Sequence, residues 1–115
     1  MSERPWKQFL MDMLDSVHKA TTYIASQSYS DFLADTKTQD AVVRNLEILG
    51  EAARRIPLHI QQSRPEIPWR QIAGLRNRLA HGYFAIDYAI VWDIVANELP
   101  LLRPQLEKLL LEDNS

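Results

Sequence analysis

Apolar residues recur at steps of three and four along nearly the whole chain, and only three glycines interrupt them. Such spacing lines up on one face of a helix but scatters over both faces of a strand, so the fold is expected to be all-α. Trp6, Leu10, Met13, Val17, Ala20 and Ile24 mark a first amphipathic helix from about Pro5 to about Gln27, with Pro5 suited to its first turn. A polar stretch from Ser26 to Ser30 precedes a short helical turn with Phe32 and Leu33. Thr36 or Thr38 then caps a second long helix whose stripe is Val42, Leu46, Leu49, Ala53 and Ile56.

Pro57 ends that helix, and Pro65 and Pro68 punctuate a connector in which residues 58–62 form one short helix. A third long helix is expected from Trp69 to His81. Ile72, Leu75 and Leu79 share one of its faces, and Gly82 lies just past its end, where glycine takes a left-handed conformation easily. The last helix starts near Asp87 and carries Tyr88, Trp92, Val95, Leu99, Leu102, Leu106 and Leu109 at heptad spacing. Pro100 should kink it, having no N–H for the carbonyl of Ala96. Ile86, Ile90, Val91 and Ile94 lie off the heptad seam, which points to burial against a partner. Four long helices with short connecting helices predict an antiparallel bundle, with residues 1–115 forming one domain.

The chain has no cysteine, so stability must come from packing rather than from disulfides or thiolate metal sites. His18 and His59 have no second ligand at metal-binding spacing, and neither a metal site nor a cofactor is expected. The first residues lack the apolar run of a signal peptide, and charges break every apolar segment short of a membrane span. A soluble, cytoplasmic protein without membrane contact is the expectation. A net charge of -2 argues against a general polyanion binder, yet the charge is uneven. Residues 54–78 hold Arg54, Arg55, Arg64, Arg70, Arg76 and Arg78 against Glu66 alone, between two acidic flanks.

That basic segment runs into Arg76-Asn77-Arg78-Leu79-Ala80-His81-Gly82-Tyr83. A guanidinium binds phosphate through a planar fork and stays charged, and an imidazole exchanges protons near neutrality. Together they suit phosphodiester chemistry. On an ideal helix Arg76 and His81 are splayed about 140° apart, with Asn77 between them. A composite site across a two-fold axis, fed by Arg76 and His81 of each protomer, resolves that separation and predicts a homodimer. Arg70 and Arg78 are further candidates for RNA phosphate.

The Arg-x4-His-x-Tyr pattern of Arg76, His81 and Tyr83 resembles the HEPN domain, and specifically the HepT-like toxins paired with minimal nucleotidyltransferase antitoxins. The stretches Asn45-Leu46-Glu47-Ile48-Leu49-Gly50-Glu51-Ala52-Ala53 and Pro68 to Asn77 are also similar to that family's, so the resemblance covers nearly the whole chain. It implies a metal-independent endoribonuclease that dimerises around the motif. Arg76 and His81 would then be catalytic, with Asn77 orienting the histidine or binding a phosphate oxygen. It also implies that the antitoxin adds AMP to Tyr83 and so silences the enzyme. The partners implied are a second copy, the nucleotidyltransferase and RNA.

Each residue has an ordinary alternative. His81 can cap a helix C-terminus, Tyr83 can be a core-edge aromatic, and Arg76 can pair with Glu47 or Glu51 on the neighbouring helix. The competing functions are a non-catalytic helical module that binds a nucleotidyltransferase or RNA, and a substrate-binding subunit for a nucleotide-transferring partner.

Overall fold

The computed structural model describes residues 5–81 and 85–112. It is an all-α bundle. Helix α1 (Trp6–Ile24) buries Leu10, Met13, Val17, Ala20 and Ile24 of the expected stripe, with Trp6 half-buried at its start, and packs most extensively on α3 (Thr36–Arg54). Between them lies α2 (Tyr29–Leu33), closed at its start by a capping box in which Ser28 and Asp31 each satisfy the other's backbone N–H. Phe32 is fully buried against the rings of Tyr88 and Trp92, at 6.3 and 5.5 Å between centroids.

The cap of α3 is Asp35 rather than Thr36 or Thr38. Its carboxylate accepts from the Thr38 backbone N–H and, at 2.6 Å, from the Thr38 hydroxyl. The Thr38 hydroxyl, with the Thr38 amide and the Gln27 side chain, holds the Asp35 carboxyl below the usual aspartate range. Buried Gln39 donates to the Phe32 and Leu33 carbonyls, ending α2. The connector holds α4 (Leu58–Ser63), and Trp69 donates its indole N–H to the Arg64 carbonyl.

The third long helix is not continuous, so the bundle has three long helical segments where four were expected. It splits at Gly74 into α5 (Trp69–Ala73) and α6 (Leu75–Leu79). In an unbroken helix the Ala73 carbonyl would accept from the Asn77 N–H. Here Asn77 donates to Gly74, and the Ala73 carbonyl is taken by the Arg54 guanidinium. Ile72, Leu75 and Leu79 still share the buried side.

Helix α6 also stops two residues early. The Leu79 carbonyl accepts from the Asp87 N–H at 2.8 Å, and the chain turns extended into β1 (Ala80–His81), paired antiparallel with β2 (Ala85–Ile86). His81 therefore sits on a two-residue ladder rather than in the last turn of a helix. Asp87 then caps the final helix, accepting from the Ala89 and Ile90 N–H groups.

That final helix comprises α7 (Tyr88–Asp93), a π turn (Ile94–Glu98) and α8 (Leu99–Glu112). The expected disturbance at Pro100 takes the form of the π turn just before it, in which the Leu99 N–H reaches the Ile94 carbonyl. With one extra residue in the turn, more positions face inward than the heptad seam alone. Val91 and Ile94, expected to face a partner, are buried in the chain's own core at 0% and 1% exposure. Ile86 and Ile90 pack half-buried against the same core.

Candidate functional site

The arginine-rich segment is dispersed by the fold. Arg64 is paired with Glu112 at the far end of α8. Arg54 serves the Ala73 carbonyl. Arg78, expected to meet RNA phosphate, lays a two-pronged fork on Glu98 at 3.0 and 2.8 Å, tying α6 to the π turn. The hydrogen bonds that Arg78 donates to the Glu98 carboxylate raise its already high pKa further. Arg70 is exposed on α5.

Arg76 behaves differently. It is exposed on α6, and among the described residues it forms no ion pair, so the expected alternative of a bridge to Glu47 or Glu51 is not realised. Asn77 is exposed beside it. Arg76 lines an open cleft of about 730 Å³ whose floor is α3, with Arg44, Glu47, Ile48, Glu51 and Arg55 facing it. Gly50 belongs to that floor. A Cβ there would stand 3.0 Å from the Ile72 carbonyl oxygen, so glycine is what lets α5 approach α3 and brings α6 to the cleft.

The chain turns from α6 directly into β1, so Arg76 and His81 are held by different local structures: a helical turn anchored by Leu75 and Leu79, and a ladder pairing His81 with Ala85. The idealised 140° helical separation does not apply. Gly82 and Tyr83 lie outside the described residues. His18 and His59 are exposed, and among the described residues no three His, Asp or Glu side chains gather as a metal site would need. No helix among the described residues is long and apolar enough to cross a membrane.

Sequence reasoning treated Glu47 and Glu51 only as possible counter-ions and passed over Arg44. The signal was present: Arg44, Glu47, Glu51 and Arg55 recur at helical spacing and share the face of α3 opposite its apolar stripe.

Among the described residues the fold is a helical bundle that places Arg76, without an ion pair, at a charged cleft five residues ahead of a histidine on a two-residue ladder. Residues 13–109 match the family model described as "Ribonuclease HepT-like", and the chain belongs to that family. It is 39% identical over 107 residues to a Thermococcus cleftensis protein named "Probable ribonuclease HepT", covering 93% of this chain and 97% of that one. A Methanocaldococcus jannaschii protein named "Putative RNase" is 36% identical over 110 residues, 96% of this chain and 91% of its own length. A second from the same organism, also named "Putative RNase", is 38% identical over 107 residues, 93% of this chain and 98% of its own. No solved structure matches.

Proposed function

We propose that this protein is a metal-independent endoribonuclease, the toxin of a type II toxin–antitoxin pair, acting as a homodimer. The observation that carries this reading is the unpaired, exposed Arg76 at a cleft, one short step along the chain from His81, in a member of a ribonuclease family. His81 takes a proton from the attacking 2′-hydroxyl or gives one to the leaving 5′-oxygen. Arg76 neutralises charge on the phosphorane-like transition state, and Asn77 holds a phosphate oxygen or the imidazole. The product is a 2′,3′-cyclic phosphate. Arg70 is free to meet RNA backbone from α5, whereas phosphate would have to displace Glu98 from Arg78.

Silencing follows from chemistry at Tyr83. A nucleotidyltransferase partner directs its phenolic oxygen at the α-phosphorus of ATP, pyrophosphate leaves, and the AMP ester adds bulk and negative charge next to the motif. The adduct would block RNA and occupy Arg76.

The reading is tested by incubating wild type, His81→Ala and Arg76→Ala with total RNA in EDTA, after intact mass confirms that Tyr83 is unmodified. Cleavage by wild type alone, leaving cyclic-phosphate or 3′-phosphate ends, is the expected outcome. An inactive unmodified wild type would sink the ribonuclease reading and leave a binding module in its place.

A further inference from the structure

We infer that the cleft beside Arg76 is a base-reading subsite selective for guanine, in which Glu47 and Glu51 take the donor edge of the base. The inference rests on the ribonuclease reading for its purpose, but the observations behind it are separate. Helix α3 turns Arg44, Glu47, Ile48 and Glu51 toward the cleft, its C-cap Arg55 follows, α6 adds Arg76, and α1 adds Asp12. Two carboxylates four residues apart on one helix repel each other, which works against stability. Among the described residues, Arg44, Glu47, Glu51, Arg55 and Arg76 form no ion pair. Glu51 is exposed and Glu47 half-buried, so both can be reached. Charges of both signs that share one space without neutralising each other keep their hydrogen-bonding capacity for a ligand carrying donors and acceptors side by side.

The donor and acceptor inventory names that ligand. An ionised carboxylate only accepts, and a guanidinium only donates. Guanine alone among the four bases presents two adjacent donors, N1–H and N2–H, which a carboxylate takes as a parallel pair. Its O6 and N7 accept from a guanidinium. Adenine and cytosine each set an acceptor nitrogen beside a single amino group, and uracil flanks its one N–H with two carbonyls. Against a carboxylate each of these brings lone pairs onto negative charge. Ile48 offers apolar surface to a flat ring, and about 730 Å³ is ample for one nucleotide. Because Arg76 opens on the same space, a guanine held there is the base flanking the phosphate to be cut.

The test titrates the four nucleoside 3′-monophosphates into intact wild type, Glu47→Gln and Glu51→Gln by calorimetry, and maps the bases flanking RNA cuts by sequencing. Guanosine 3′-monophosphate should bind wild type about tenfold tighter than the others, the worth of one good bidentate contact. The preference should vanish in at least one variant, along with any guanine bias at the cuts, while circular dichroism stays unchanged. Equal binding of all four nucleotides, or a preference that survives both substitutions, overturns the inference. RNA cleavage with no guanine bias overturns it while sparing the ribonuclease reading; guanine binding without cleavage does the reverse. If no nucleotide binds, the subsite does not exist, and a shift in oligomeric state in the variants would identify the cleft as a seam between copies.

Discussion

At Gly50 the backbone of α3 passes so near α5 that a Cβ would meet the Ile72 carbonyl oxygen at 3.0 Å, and a backbone oxygen cannot swing away as a side chain would. Gly50→Ala should therefore destabilise the fold by about 1–3 kcal/mol despite the better helix propensity of alanine. Thermal unfolding checks this; an unchanged or raised Tm would mean that α5 can move off α3 freely. The arginines teach a related lesson. Six of them stand out in the sequence between positions 54 and 78, and nothing local separates one from another. Their roles are set by which acceptor the fold delivers: Ala73 to Arg54, Glu112 to Arg64, Glu98 to Arg78, and none of these to Arg76.

Among the elements, the long amphipathic helices were the most legible, because a stripe such as Leu10, Met13, Val17, Ala20 and Ile24 follows from periodicity alone. The third and last helices were less so. Ile72, Leu75 and Leu79 read as one continuous face, and all three are buried, yet the helix breaks at Gly74, where Arg54 takes the Ala73 carbonyl that a continuous helix would have used. In the final helix the heptad pattern ran smoothly through Trp92 and Val95, and around the π turn Val91 and Ile94 join buried Val95 in the core. Ile94→Ala should cost about 2–5 kcal/mol, the range for emptying a core site. The unfolding midpoint should fall at every protein concentration, since the cavity lies in the protomer's own core. A loss seen only where copies associate would place Ile94 at a seam instead.

For the whole molecule, the proposed composite site makes a prediction that no single residue can. If the composite site is fed by Arg76 and His81 of each protomer, a mixed dimer of His81→Ala and Arg76→Ala keeps one of each on opposite protomers, and unfolding and refolding the two together should recover part of the RNA cleavage that neither variant shows alone. No recovery, with mixed dimers confirmed by native mass spectrometry, would put a complete site in each protomer. The sequence by itself determined the helical class, the buried stripes, the candidate motif and the resemblance that family membership upheld, since all of these rest on spacing and side-chain chemistry within a few residues. The tertiary structure decided where the third helix breaks, why His81 lies on a ladder, which arginines find acceptors, and that Glu47 and Glu51 share a cleft with Arg76. The partners that make those decisions for Arg54, Arg78 and Arg64 stand 19, 20 and 48 residues away along the chain. Only the packing of helices on one another brings such distant groups together, and local periodicity carries no record of it.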